Sequence, residues 1–140
     1  MTTKVYDSNQ VFVTLAGRPI NKGRDSGTFV SSEYSADSFT LVVGADGETT
    51  MCRTNNRSGT IKLTLVQTAD SHRTLMALES DQRAQPGGTL LDYELRDLSG
   101  GLLEHAQVVI QKPPPQAYGA EASTREWTMV TGELVREVAA

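Results

Sequence analysis

A small antiparallel β-sandwich or partial barrel with one short flanking α-helix, a mainly β fold within a single domain spanning 1–140, is what this sequence predicts. Three observations predict it. Apolar residues recur at every second position in run after run, turn-forming residues separate the runs, and one segment alone switches to helical spacing. Period-two alternation places apolar side chains on one face of a strand and polar ones on the other. Short strands punctuated by turns in this way point to a sandwich or barrel.

The elements follow in order. Val11, Val13 and Leu15 form one face of a first strand, with Phe12 and Thr14 opposite. Residues 17–28 read as a long loop. Phe39, Leu41 and Val43 predict the next half-buried strand, and Gly44-Ala45-Asp46-Gly47 turns it tightly into residues 48–53. After a turn at Asn55–Gly59, the cleanest alternation sets Ile61, Leu63 and Leu65 against Thr60, Lys62 and Thr64. Asp70 is placed to cap a helix over residues 71–80, whose stripe of Ser71, Leu75, Leu78 and Gln82 would lie on the sheet. Strands resume at Leu91, Tyr93 and Leu95 and again over residues 102–112, which Pro113-Pro114-Pro115 ends because proline supplies no ladder donor. Residues 117–124 form a second long loop. Trp127 and Met129 lead the last strand, with a bulge or bend expected at Gly132 before residues 133–138.

Composition narrows the function classes. The chain has 140 residues, 38% apolar and 21% charged, and a net charge of −4 without any basic cluster. Tight nucleic-acid binding needs several Lys or Arg aimed at phosphates, so a DNA- or RNA-binding module is disfavoured. No apolar run approaches the ~20 residues that cross a bilayer, and the N-terminus lacks the apolar stretch of a secretory signal, so a cytoplasmic site of synthesis and no membrane partner are expected. Cys52, the single cysteine, has no intrachain partner and reads as a small buried hydrophobe. Asn56-Arg57-Ser58 reads as a turn.

Chemistry-bearing patterns are scarce. His72 falls in the helix and His105 in the strand over 102–112, with no metal-ligand spacing between them. Gly44 and Gly47 lack the Lys of a phosphate loop and stand between two strands. The carboxylates Glu33, Asp37, Asp46, Glu48, Asp92, Glu94, Asp97 and Glu104 are scattered and read as solvated strand faces. No catalytic residue, cofactor or metal site is expected, and no enzymatic activity.

The order of the pieces resembles the tail tube proteins of contractile-tailed bacteriophages. The similarity runs from Glu33-Tyr34-Ser35-Ala36-Asp37-Ser38-Phe39-Thr40-Leu41 through the Asp46-Gly47-Glu48 turn and Arg57-Ser58-Gly59-Thr60-Ile61-Lys62-Leu63. It continues in the helix with Leu75, Ala77 and Leu78, and near the end in Glu126-Trp127-Thr128-Met129 and Gly132-Glu133-Leu134. The resemblance implies a structural virion protein that assembles as stacked six-membered rings around a DNA-conducting lumen. Its implied partners are itself, the tail sheath, the baseplate and tape-measure proteins, and DNA in passage. On this reading Glu33, Asp37 and Glu48 face the lumen, where negative charge would let DNA slide without sticking. Gly17, Arg18, Arg24 and Asp25, with Leu134, Arg136 and Val138 of the C-terminal segment 134–140, are expected at ring-to-ring contacts, on length and position alone. Alternatives are a tail completion or baseplate-hub subunit, a contractile-secretion tube subunit, or a monomeric β-sandwich binding domain.

Overall fold

The computed structural model, which describes residues 3–138, follows the predicted alternation through most of the chain. Strand β1 (Val11–Leu15) buries Val11, Val13 and Leu15. A two-residue strand, β2 (Arg18–Pro19), folds back on it, and β3 (Val30–Tyr34), β4 (Phe39–Val43), β5 (Thr49–Arg53) and β6 (Gly59–Val66) follow. Helix α1 (Ser71–Ala84) precedes β7 (Leu91–Asp97), β8 (Leu102–Lys112) and β9 (Thr124–Val138). Seven strands form one antiparallel sheet in the order β2-β1-β7-β8-β9-β6-β3, and β4 and β5 form a separate two-stranded hairpin.

The sheet curls without closing its ladder. Ser32, on the edge strand β3, donates its hydroxyl to Glu104 of β8 across 2.8 Å, although β6 and β9 lie between those strands in the sheet. Arg24 completes the wrap: its backbone bridges to Leu65 of β6, while its guanidinium donates to the Ser8 and Val11 carbonyls beside β1. One arginine thus links β6 to the start of β1.

Within the curl lies a continuous apolar core that includes Leu15, Ile61, Leu63, Tyr93, Trp127 and Met129. Helix α1 caps it with Leu75 and Leu78, on the expected stripe. Asp70 makes no capping hydrogen bond with its side chain, contrary to expectation; the buried Ser71 instead donates to the Lys22 carbonyl at 2.8 Å. The helix also outruns residue 80 by four residues, which brings Gln82 over β8. Its amide accepts from Ile110 N–H at 3.0 Å and donates to Ile110 C=O at 3.3 Å. Because β7 pairs with β8 only as far as Val108, Gln82 satisfies backbone groups that would otherwise lack a strand. Trp127 donates its indole N–H to His72 Nδ1 at 3.0 Å, and His72 Nε2 lies 2.8 Å from the Val66 carbonyl. An indole only donates, so Nδ1 accepts and Nε2 carries the proton. His72 is a structural bridge.

Strand β9 contains the expected bulge. Its pairing with β8 passes from Ala106↔Leu134 to Val108↔Thr131, one extra residue on β9 at Gly132–Glu133. Burial changes phase there: Arg125, Trp127, Met129 and Thr131 point inward before it, and Leu134 after it.

Candidate subunit interface

Strands β3 and β6 do not end where their pairing stops. Ser35 N–H donates to Ser58 C=O at 2.9 Å and Thr54 N–H to Ser38 C=O at 2.8 Å, which carries the ladder into β4 and β5. The two hairpins therefore form one long arm, rooted in the sheet and ending at the turn around Asp46. Gly47 takes φ +92°, a region that favours glycine, and Asp46 Oδ1 accepts the Glu48 N–H at 3.1 Å. Every residue of β4 and β5 is exposed.

That exposure corrects the expected half-burial. Cross-strand pairs Phe39·Arg53, Leu41·Met51 and Val43·Thr49 share one face, and Thr40·Cys52 and Val42·Thr50 the other. The amphipathic pattern is real, but nothing among the described residues covers it: Phe39, Leu41, Val42, Val43 and Met51 are between 53% and 68% exposed. Cys52, expected inside, is likewise exposed. Alternation reports that a face is apolar; it does not report what lies against it.

The three acidic candidates are spread along this arm. Glu33 is exposed at the root on β3, Asp37 is exposed at the joint, and Glu48 is exposed at the tip. Glu33 stands opposite Thr60. Alternation puts Glu48 with Thr50 and Cys52, away from Phe39, Leu41 and Met51.

Residues 17–28 are far more ordered than a free loop. Gly17, at φ +78°, and the exposed Arg18 make the turn into β2. Arg24 is half-buried, with its guanidinium 4.4 Å from the Phe29 ring and 2.7 Å from Asn21 Oδ1, and burial lowers its pKa from the ordinary value. Asn21 Oδ1 also accepts the Val13 N–H at 3.3 Å. Side chains thus occupy the outer edge of β1. Asp25 is half-buried and its N–H donates to Thr64 C=O. Of these four candidates, Gly17 and Arg18 form open surface.

In the C-terminal candidate segment, Leu134 is a core residue, because the bulge turns it inward. Its placement among surface contacts is therefore corrected. Arg136 donates from Nε to Glu104 Oε2 at 2.7 Å and from a terminal nitrogen to the Ser32 carbonyl at 2.9 Å. Val138 is 89% exposed. Ala139 and Ala140 lie outside the described residues, as do Met1 and Thr2.

Glu104 is the polar group that alternation misjudged. Expected on a solvated face, it is 1% exposed, and it binds Ser32, Arg136 and the Tyr93 hydroxyl, the last at 3.0 Å. A buried carboxylate persists only when paired and hydrogen-bonded, and here strands β3, β7 and β9 all supply partners. Burial first, then the neighbouring carboxylate, pushes the Tyr93 phenol far above its ordinary pKa. The cluster joins strands and offers no open reacting position. His105 is exposed beside Glu137 at 3.4 Å. Among the described residues no group of three or more His, Cys, Asp and Glu is placed to hold a metal ion.

Known proteins resemble this chain in sequence and in fold. The family described as bacteriophage PhiTE tail tube protein matches residues 11–138. The chain is 28% identical to Structural protein ORF10 of Pseudomonas phage KPP10 over 134 residues, 91% of this chain and 78% of that protein. The fold is similar to a chain in the sheath-tube complex of the extracellular contractile injection system PVC, in its extended state. There the TM-score is 0.61 at 14% identity, covering 96% of this chain and 93% of that one. A chain of the sheath/tube terminator of such a system gives 0.60 at 11% identity, covering 99% and 100%. A chain of the anti-feeding prophage tube-terminating cap gives 0.57 at 12%, covering 99% and 95%.

Proposed function

The chain belongs to the bacteriophage PhiTE tail tube protein family, and from that premise we propose that it stacks as rings of six subunits around a lumen that conducts DNA during ejection. It is a structural protein of the virion tail. The observation that carries the assembly is the arm of β4 and β5, an amphipathic hairpin with nothing among the described residues folded against it. An isolated two-stranded hairpin is marginal in water, and open strand edges invite pairing with another chain. Ring closure and stacking supply such neighbours.

The remaining surfaces divide between two tasks. Glu33, Asp37 and Glu48 line the lumen and repel phosphates, consistent with a chain of net charge −4. Gly17, Arg18 and Val138 meet the adjacent ring, while Arg24, Asp25 and Arg136 hold those segments in place. The sheath surrounds the tube, the baseplate and tape-measure proteins meet its ends, and assembly takes place in the host cytoplasm. No catalytic step is assigned.

Negative-stain electron microscopy with light scattering across concentration, alone and with a baseplate supplied, tests the assembly. Hollow tubes are expected; a monomer that fails even to extend a baseplate would replace this reading with a monomeric binding domain. Replacing Glu33, Asp37 and Glu48 by Lys should leave rings intact and slow DNA ejection, and unchanged ejection would remove the lumenal assignment. A completion or hub ring is the second reading, favoured by the nearly equal likeness to a terminator and a cap. Single rings that never lengthen would select it.

A further inference from the structure

We infer that a cleft between Arg53 and Arg57 is an oxyanion site that binds a carboxylate carried on an apolar stem. The cleft measures about 410 Å³ and is lined by Ser38, Phe39, Arg53, Thr54, Asn55 and Arg57. Two guanidiniums line it and, among the described residues, no carboxylate does. Arg57 is built into place. Its carbonyl accepts the Leu134 N–H at 2.9 Å, and the Leu134 carbonyl accepts the Tyr34 hydroxyl at 2.7 Å. The Arg57 guanidinium stands 4.2 Å from the centre of that Tyr34 ring, and a terminal nitrogen donates to Ser38 Oγ at 3.2 Å. Leu134, a core residue, thus holds both the arginine's backbone and the ring its side chain stacks on. Arg136 flanks the same ring at 4.9 Å, but its charge is answered by Glu104 at 2.7 Å. Arg53 and Arg57 take part in no ion pair among the described residues. A guanidinium fork held in position without an anion suits a planar carboxylate, and holding it there beforehand lowers the cost of binding.

The surrounding charge sets the valence of the ligand. Glu33 and Asp37 are exposed in the same region, so the arginines bring the neighbourhood to neutrality and no further. Neither acid lines the cleft, and alternation turns Glu33 to the opposite face of β3 from Tyr34. A single negative charge in the cleft therefore meets the two arginines at closer range than the two carboxylates. A phosphate dianion, or the phosphate array of DNA, would extend its repulsion to Glu33 and Asp37. Phe39, 59% exposed at the edge of the cleft, offers an apolar wall to the stem of the ligand.

The test uses the dilute subunit and so stands or falls apart from the tube reading. Sodium benzoate is titrated against chloride at constant ionic strength, and the side chains of isotope-labelled arginine are followed by NMR. Saturable shifts at Arg53 and Arg57 are expected. Affinity should fall roughly tenfold in Arg57→Gln and in Arg53→Gln and stay unchanged in Arg18→Gln, with circular dichroism to show that each variant folds. Shifts that rise without saturating, or that are as large at Arg18 as at Arg57, would overturn the site. Tighter binding of inorganic phosphate or of a short DNA duplex would overturn the carboxylate assignment. The same titration on assembled tubes then identifies the source: a response retained there supports a free carboxylic acid, and one lost there supports a carboxylate that a polypeptide has already placed in the cleft.

Discussion

The curled sheet and the arm are built from the same alternation and have opposite fates. In β6, the Ile61, Leu63 and Leu65 face is buried in the core that also takes Leu75 and Leu78 of helix α1; in β4, the Phe39, Leu41 and Val43 face meets solvent. The difference is not composition. The sheet has seven strands that bend until Arg24 links β6 to β1, whereas the arm has two strands and no third to bend with. A β face is stabilised by what closes over it, and among the described residues only the sheet's is closed.

Substitutions should separate the regions by the size of their effect on the monomer. Trp127→Ala should be the most damaging, at about 3–5 kcal/mol, because it empties a core position and strips His72 Nδ1 of its donor. Urea unfolding followed by circular dichroism measures it, since Trp127 is the only tryptophan. A loss below about 1 kcal/mol would mean that the sheet is no better sealed than the arm. Gly23→Ala should come next, at roughly 2–4 kcal/mol. Gly23 has φ +77°, and a Cβ there would stand 2.0 Å from that of Ala69. The same unfolding curve checks it, and a neutral result would show that the strap around Arg24 is loose. Met51→Ser should change monomer stability by less than about 0.5 kcal/mol. A larger loss in the thermal midpoint would show that the arm folds back on its own subunit.

Most of the sheet was legible because burial and alternation coincide in β1, β6, β7 and β9, and the bulge at Gly132 was legible because glycine marks it. Alternation marks the arm correctly as strand, but half-burial does not follow, since the pattern reports that a face is apolar and not what covers it. Cys52 lies opposite Thr40 on the hairpin's other face, which is exposed as well. Glu104 and Arg24 were hidden by another cause: their partners lie far away in sequence, Ser32 at 72 residues from Glu104 and Val11 at 13 from Arg24. Local patterns do not contain such pairings. Of the candidate contacts, Arg18 and Val138 sit on open surface and Leu134 does not, because the extra residue in β9 changed which parity points inward.

That extra residue gives the end of the chain one position it can lose. Between the Val108↔Thr131 and Ala106↔Leu134 pairs, β9 takes three steps where β8 takes two. Removing Gly132 would make the count two against two, so the strand would alternate without a break, Leu134 would stay inward and Arg136 would keep Glu104. A deletion after Leu134, such as that of Val135, has no surplus residue to consume: it would turn Arg136 outward and leave Glu104 buried without its cation. The bulge thus stores one residue of slack, and the stretch beyond it has none.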